Sequence, residues 1–300
     1  MSSESIQAPQ PSAWRVWWMA SRPRTLPAAV APVLVGTALA VKTGHFAPAP
    51  AAAAMVGALL LQLASNYAND YFDWKQGADT EERQGPTRVM AAGLVTPGQI
   101  QAATGIALAL AVLVGIYLIM VGGWPIAALG FASVISAVAY TGGPRLGYLG
   151  LGELMVFAFF GLGAVVGTYY VQALAVTPLA VWLAVPMGAW AAGILVVNNV
   201  RDAATDAQCG KGTLAVRFGV GFARALYVAL MAAGFLVPAG LAVTGQLGWG
   251  GFLPLLAAPM AWPLVRSVYG ETGPALNKTL GGTARLLLVG ATLLGIGVLI

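Results

Sequence analysis

The sequence predicts an all-α integral membrane protein with nine transmembrane helices. Of its 300 residues, 59% are hydrophobic and 8% are charged, whereas about a quarter of the residues in a soluble domain are charged. The 15 basic and 10 acidic side chains cannot cover a water-soluble globule of this length. This excludes a soluble enzyme, a disordered chain and a coiled coil. Segments of alternating hydrophobicity, which are typical of outer-membrane barrels, are absent from the sequence.

A membrane-spanning helix needs about 20 mostly apolar residues, and nine stretches of the chain satisfy this. In chain order the predicted spans are 25–44, 51–70, 99–121, 124–141, 153–173, 178–199, 222–244, 250–269 and 283–300. Helix-breaking residues separate them, namely Pro48 and Pro50, Pro97, Gly122 and Gly123, Gly142 to Pro144, Pro178, and Gly248 to Gly251. Residues 1–20 are predicted to be a cytoplasmic N-terminal tail, and residues 21–300 a single membrane domain.

The distribution of charge predicts the orientation. If the N-terminus is cytoplasmic, every lysine and arginine except Lys42 falls in a cytoplasmic segment, which is a strong positive-inside pattern. The same pattern accounts for the net charge of +5 without a nucleic-acid partner. All acidic residues also fall on the cytoplasmic side, although the rule does not require this. Some other cause must concentrate carboxylates on one face.

Most of the acidic residues lie in two loops. The first loop contains Asn66, Asn69, Asp70, Asp73, Lys75, Asp79, Arg83 and Arg88, and the second contains Asn198, Asn199, Arg201, Asp202, Asp206 and Lys211. Each loop follows an even-numbered span, opens with two asparagines and continues into carboxylates three or four residues apart. This spacing places the carboxylates on one face of a helix end.

Several carboxylates on one face repel each other unless a cation lies among them. Mg²⁺ prefers oxygen ligands and is usually bound by one or two carboxylates together with substrate phosphates. Two such clusters facing each other can hold metal ions around one diphosphate, and nearby lysines and arginines can bind the remaining phosphate charge. The alternative is that both segments are ordinary solvated loops. Their recurrence after two different spans favours a functional site.

The two loops resemble the aspartate-rich motifs of the UbiA superfamily of intramembrane prenyltransferases. Asn69, Asp70 and Asp73 match the first motif, whereas its third aspartate is displaced by two residues to Asp79. This spacing is similar to that of the branch that prenylates 1,4-dihydroxy-2-naphthoate. Further segments similar to that branch are Arg22 to Thr25, Gly85 to Arg88, Gly147 to Glu153, Gly167 to Gln172, the second loop as far as Arg217, and Gly282 to Arg285. The resemblance covers about residues 20–290.

The resemblance implies a nine-helix bundle around a central cavity that is capped by cytoplasmic loops. It implies transfer of a polyprenyl group from polyprenyl diphosphate to 1,4-dihydroxy-2-naphthoate, with loss of CO₂, to give demethylmenaquinone. The implied mechanism is Mg²⁺-assisted ionisation of the diphosphate to an allylic carbocation, which the aromatic ring attacks. The implied location is the lipid bilayer of the bacterial cytoplasmic (inner) membrane, with the active site at the cytoplasmic side.

The resemblance also suggests roles for individual residues. The predicted catalytic residues are Asp70, Asp73, Asp202 and Asp206. The predicted metal ligands are these four together with Asp79, Asn66 and Asn69. The candidates for diphosphate binding are Lys75, Arg83, Arg88, Asn198, Asn199, Arg201 and Lys211. The candidates for binding the aromatic acceptor are Arg24, Tyr140, Arg145, Tyr148, Glu153 and Tyr169, while Arg22 is interpreted as an anchor of the first span.

Two alternative functions remain open at this point. The first keeps the chemistry and changes the acceptor to another phenol, such as hydroxybenzoate or homogentisate. The second is an ion-coupled secondary transporter, in which intramembrane acids bind the coupling ion. Such acids usually lie near the bilayer midplane. Here every acid is predicted at one rim, which disfavours transport.

Overall fold

The protein is described by a computed structural model over residues 11–78 and 84–300, and the regular secondary structure in this part of the chain is entirely helical. Asp79 and Arg83, two of the predicted site residues, lie outside the described residues. The α-helices are α1 (Ala13–Ala20), α2 (Leu26–Lys42), α3 (Pro48–Lys75), α4 (Pro97–Gly122), α5 (Trp124–Ala139), α6 (Gly152–Val156), α7 (Ala164–Ala173), α8 (Pro178–Gln208), α9 (Leu214–Arg217), α10 (Val220–Val243), α11 (Ala258–Gly270) and α12 (Leu276–Leu299).

The predicted all-α membrane architecture is confirmed. Within the described residues, eight helical segments are long and apolar enough to cross a membrane, and α5 is a ninth, shorter apolar helix. Local sequence explains several helix starts. Proline occupies the first position of α3, α4 and α8, where its missing N–H costs no hydrogen bond. Thr96 and Gln99 form a reciprocal capping box at the start of α4.

The N-terminal segment differs from the prediction. Residues 1–20 are predicted to be a tail, but Ala13–Ala20 form the helix α1. Arg22 then adopts a left-handed conformation with φ of 49°, which breaks the helix before α2 begins. The apolar residues Val16 and Ala20 are buried, so the helix is stabilised by packing, which the composition of this short segment does not reveal.

Helix α8 lies at the centre of the bundle. It packs against α7, α10 and α12, and Leu183, Met187 and Trp190 are fully buried in the main core. It also packs closely against a π-helical segment, Phe157–Gly163, which joins α6 to α7. A Cβ atom on Gly161 would lie 2.8 Å from the Cα atom of Gly188, so these two backbones can approach each other only because both residues are glycine.

A cavity of about 760 Å³ lies between α3, α4, α5, α7 and α8. Most of its wall is apolar and includes Ile116, Ile119, Leu129, Phe159 and Phe160. Polar side chains line it where α3 and α8 end, which we call the charged end of the bundle. The cavity therefore has a mostly apolar wall and a polar region at the charged end, which we call its polar mouth.

Candidate active site

The four predicted catalytic aspartates lie at the ends of two helices, as their spacing predicts. Helix α3 continues to Lys75 and α8 continues to Gln208, so Asp70 and Asp73 belong to α3 and Asp202 and Asp206 to α8. The predicted spans 51–70 and 178–199 end several residues too early. All four aspartates are buried, and three of them pair with a basic side chain, which allows the helices to continue past them.

At the end of α3, both carboxylate oxygens of Asp73 have partners from other segments. Arg88 lies 2.7 Å from Oδ2, and the hydroxyl of Tyr148 donates a hydrogen bond to Oδ1 at 3.1 Å. Arg88 lies in the segment between α3 and α4, and Tyr148 in the segment between α5 and α6. Asp73 therefore joins three parts of the chain at the charged end.

At the end of α8, Arg201 binds Asp202, its neighbour in the sequence, through two hydrogen bonds of 2.8 and 2.5 Å. The same guanidinium donates to Asn198 and to Asn277. Asn277 donates in turn to the backbone carbonyl of Gln84 at 3.0 Å. The Arg201 side chain is 1% exposed, and its two hydrogen bonds to Asp202 are buried.

The two helix ends are connected through Lys211 and Tyr148. The Lys211 ammonium lies 3.5 Å from Asp206 and 5.4 Å from the centre of the Tyr148 ring, and the Tyr148 hydroxyl contacts Asp73. A continuous series of contacts thus runs from Arg88 on one side to Asp206 on the other. We call Arg88, Asp73, Tyr148, Lys211 and Asp206 the polar bridge.

The electrostatics of the bridge agree with its geometry. Burial lowers the pKa of the Lys211 ammonium, but the carboxylates of Asp206, Asp73 and Asp202 act in the opposite direction and leave it above its ordinary value. Burial also raises the pKa of the Tyr148 phenol, and the neighbouring Asp73 raises it further. Lys211 is therefore a stable cation and Tyr148 a stable hydrogen-bond donor at neutral pH.

Several predicted site residues line the polar mouth of the cavity. They are Asn66, Asn69, Asp73, Arg88, Tyr140, Asn198 and Lys211. Thr141 donates a hydrogen bond to Asn69 at 2.7 Å, and this fixes the amide group. Residues from the α3 end, the α5 end, the α8 end and two connecting segments therefore converge on one opening, although up to 145 positions separate Asn66 from Lys211 in the chain (211 − 66).

The cavity lining also contains polar residues that were not among the predicted site residues. Arg22, Thr25 and Gln62 are three of them. Gln62 donates to Thr25 and to Asn66, and Asn66 donates to the backbone carbonyl of Ser21 at 2.9 Å. The sequence predicts Arg22 as an anchor and Arg24 as an acceptor-binding residue. In the structure Arg22, which adopts the left-handed conformation, lines the cavity, whereas Arg24 is exposed and does not.

Several other predicted residues do not line the cavity, among them Lys75, Arg145 and Tyr169. Lys75 is exposed and lies 5.8 Å from the ring centre of Tyr71. Arg145 is exposed and lies against the outer side of Tyr148, 5.9 Å from its ring centre. Tyr169 is 2% exposed and belongs to the main core, because α7 turns this residue towards α2 and α8 while Thr168 and Val171 line the cavity.

A buried pair lies behind the cavity wall. Asn199 donates a hydrogen bond to Glu153 at 2.8 Å, and both residues are almost inaccessible to solvent. This pair joins the start of α6 to α8 beneath Tyr140, which lines the cavity. Asp70 is likewise 1% exposed and is not among the residues that line the cavity. The structure thus places Glu153, Asn199 and Asp70 behind the cavity wall.

The donors at the charged end suit a hard divalent cation bound jointly with a substrate. Oδ2 of Asp206 is buried and has no hydrogen-bond partner among the described residues, although most buried polar atoms have one. Among residues 11–78 and 84–300, no three acidic, histidine or cysteine side chains are grouped closely enough to enclose a metal ion by themselves. Mg²⁺ needs no such enclosure, since it is usually held by one or two carboxylates, waters and substrate phosphates. The residues present therefore fit Mg²⁺.

Comparison with known proteins agrees with this geometry. Residues 29–280 match the model of the UbiA prenyltransferase family. The chain is 38% identical over 276 residues to the 1,4-dihydroxy-2-naphthoate octaprenyltransferase of Escherichia coli strain K12, with 90% of each chain covered.

Solved structures share the fold. A UbiA homologue from Aeropyrum pernix K1 superimposes with a TM-score of 0.69 at 18% identity, covering 91% of this chain and 96% of the homologue. A UbiA homologue from Archaeoglobus fulgidus, solved with DMAPP and Mg²⁺ bound, has a TM-score of 0.60 at 15% identity, covering 93% of this chain and 99% of the homologue. The match over most of its length and the identity to the E. coli enzyme show that this chain belongs to the UbiA prenyltransferase family.

Proposed function

We propose that this protein transfers a polyprenyl group from polyprenyl diphosphate to 1,4-dihydroxy-2-naphthoate, with loss of CO₂, to give demethylmenaquinol, the reduced form of demethylmenaquinone. The single observation that supports this best is the polar bridge at the mouth of an apolar cavity. A polyprenyl diphosphate has a long apolar chain and a highly charged head, so it needs both surfaces in one site. The identity to the E. coli octaprenyltransferase supports the naphthoate as acceptor.

The diphosphate is proposed to bind at the bridge. Arg88 and Lys211 both line the cavity and are held in place by Asp73 and Asp206. Both cations can contact phosphate oxygens while these carboxylates turn to a metal ion. Asn66, Asn69 and Asn198 add amide groups at the same opening. Arg201 is unsuited to this role, because its hydrogen bonds to Asp202, Asn198 and Asn277 already occupy its guanidinium.

Magnesium is proposed to bind between the two helix ends. Asp73 and Asp206 are the best-placed ligands. Asp73 lines the cavity, and Asp206 has a buried oxygen that has no hydrogen-bond partner among the described residues. Mg²⁺ bound there would act as a Lewis acid that stabilises negative charge on the departing diphosphate. The Mg²⁺ and DMAPP in the Archaeoglobus homologue support this assignment by fold alone.

The apolar wall is proposed to protect the prenyl cation from water. When the carbon–oxygen bond to the diphosphate breaks, the bonding electrons leave with the diphosphate, and the allylic cation must meet the acceptor ring before it meets water. Phe159, Phe160 and the ring of Tyr140 line the cavity, and aromatic faces stabilise a nearby cation. Arg22 lines the same cavity and can pair with the acceptor carboxylate before that group leaves as CO₂.

The reaction is proposed to occur at the cytoplasmic face of a bacterial cytoplasmic membrane. Multiple membrane-spanning helices and the E. coli relative support the membrane location. The orientation rests on the positive-inside pattern of the sequence, in which every lysine and arginine except Lys42 falls in a segment predicted to be cytoplasmic. The charged head of the donor and the anionic acceptor would then both arrive from the cytoplasm.

A turnover assay on the purified chain tests the proposal. The protein, reconstituted in lipid nanodiscs, receives a radiolabelled polyprenyl diphosphate and 1,4-dihydroxy-2-naphthoate, with and without Mg²⁺, beside a hydroxybenzoate control. We expect prenylated naphthoquinol and CO₂ only when Mg²⁺ and the naphthoate are both present. Product from hydroxybenzoate instead would overturn the acceptor and keep the chemistry. The transferase assignment would be overturned if neither acceptor gave product while the melting temperature showed that the protein was still folded.

A further inference from the structure

The first membrane span is long enough to cross a membrane without helix α1. The 3₁₀ turn Pro23–Thr25 and helix α2 together measure about 30 Å, which equals the thickness of a bilayer hydrocarbon core. The left-handed residue Arg22 separates α1 from this span. Helix α1 therefore lies beyond the hydrocarbon core, at the charged end of the bundle.

The outward face of α1 is aromatic and basic. Trp14 is 76% exposed and Trp18 is 51% exposed, and their rings stack with centres 6.1 Å apart. Arg15 is exposed beside them. Two stacked tryptophans in contact with water would be unfavourable, whereas the headgroup layer of a membrane is the environment that tryptophan prefers. No acidic residue occurs between Glu4 and Asp70, so the basic residues here favour anionic lipid headgroups.

The inward face of α1 packs on the segment that carries Arg88. Val16 and Ala20 form a separate apolar cluster with Val89, Met90 and Val95, all of which are buried. Trp17 contacts Tyr67 of α3 edge to face at 5.9 Å. Val89 and Met90 directly follow Arg88 in the chain. The packing of α1 on these two residues therefore holds the backbone beside Arg88, which pairs with Asp73.

We propose that α1 is an interfacial anchor whose Trp14–Trp18 face inserts into an anionic phospholipid headgroup layer and whose opposite face holds residues 88–95 in place, so that Arg88 stays on Asp73. The partner is the lipid surface on the side of the membrane where the charged end lies. Lipid contact and the geometry of the cavity mouth are thereby coupled through one short helix.

The lipid contact is tested by fluorescence quenching. Single cysteines replace Trp14 or Trp18 in a Cys209→Ser background, carry an environment-sensitive label, and are studied in nanodiscs that contain phosphatidylglycerol. A label at Gln208, which is exposed at the end of α8, is the matched control. We expect lipids with a spin label near the headgroup to quench both α1 labels and to leave the Gln208 label unchanged. The proposal would be overturned if aqueous quenchers reached the α1 labels. It would also be overturned if neither aqueous nor lipid quenchers reached them, as in a contact with protein.

The coupling is tested by hydrogen–deuterium exchange over residues 85–96. The double variant Trp14→Ala/Trp18→Ala should exchange on the order of tenfold faster in this segment, and Val16→Asn should do the same while leaving the lipid contact intact. Trp249→Ala, which removes a tryptophan that is 85% exposed near the opposite end, should change nothing there. Equal exchange in all variants would overturn the coupling. Neither arm requires turnover, so neither depends on the proposed reaction.

Discussion

The ends of α3 and α8 carry similar residues but hold their carboxylates in different ways. At α3, Asp73 is held by Arg88 and Tyr148, which come from two other segments. At α8, Asp202 is held by Arg201, its neighbour in the sequence, whose side chain is 1% exposed against 10% for Arg88. Arginines that pair with an aspartate therefore lie in two different settings: Arg88 lines the cavity, whereas Arg201 is buried between Asp202, Asn198 and Asn277.

The comparison predicts the largest catalytic loss at Asp73. Asp73→Asn keeps an oxygen that can accept from Tyr148 but removes the charge that holds Arg88 and a metal ion. We expect the turnover number to fall about 10²- to 10³-fold, the scale of losing one preorganised electrostatic group. The measurement is the Mg²⁺-dependent turnover assay in nanodiscs, together with the Mg²⁺ concentration at half-maximal rate. The control is Glu271→Gln, an exposed acid outside the cavity. Equal turnover by Asp73→Asn and the control would place the catalytic carboxylates elsewhere.

At Arg201 the expected loss is mainly one of stability. Arg201→Met leaves the carboxylate of Asp202 buried without its partner, which costs about 3–5 kcal/mol. Thermal unfolding in detergent should therefore show a clear decrease in melting temperature, and addition of the diphosphate should not restore it in full. Arg88→Gln, at the more open position, should melt closer to the parent protein. If Arg201→Met melts like the parent and raises only the KM for the diphosphate, Arg201 is a ligand and the contrast between the two arginines is wrong.

For Arg88 and Lys211 we expect weaker donor binding in a stable protein. A hydrogen bond to a charged group contributes about 1.5–3 kcal/mol, so Arg88→Gln and Lys211→Gln should each raise the KM for polyprenyl diphosphate about 10- to 100-fold. Lys75→Gln is the matched control, because Lys75 lies in the same motif but outside the cavity. An increase in KM for Lys75→Gln as large as for the other two would mean that the general charge of this end, not the bridge, attracts the diphosphate.

Tyr148→Phe should have the smallest effect. It removes the hydrogen bond to Asp73 but keeps the ring beside Lys211. A neutral donor contributes about 0.5–1.5 kcal/mol, so activity should fall only several-fold, and the variant Tyr227→Phe, in which the hydroxyl contacts Thr283 in the core, should leave kinetics unchanged. A loss as large as that of Asp73→Asn would make Tyr148 a catalytic residue and would require a direct contact with substrate.

Much of the architecture followed from composition and periodicity. The bilayer requires long apolar helices, so the nine stretches, their order and their approximate limits could be recognised without a structure. The limits failed where polar residues lie on a helix, as at Asp70 to Lys75 and Asp202 to Gln208. The carboxylates in these turns are buried and three of them pair with a basic residue. No local pattern reports a partner 15 positions away, such as Arg88 for Asp73.

The candidate site divides in the same way. The residue types and spacing of the two motifs identified the aspartates, and the resemblance identified the family. Which basic residues face the cavity was not predictable, because positive-inside topology places lysine and arginine at the same end whatever their function. Arg88 and Lys211 line the cavity while Lys75, Arg24 and Arg145 are exposed outside it.

The sequence by itself determined that the chain spans a membrane, where its carboxylates gather and which family it belongs to. These properties depend on hydrophobic length and on motifs, both of which are local. Only the tertiary structure decided that Arg22 lines the cavity and Arg24 does not, that Tyr169 belongs to the core, and that Arg201 binds Asn277, 76 positions away. These outcomes depend on the direction of each side chain, and packing against distant segments of the chain sets that direction.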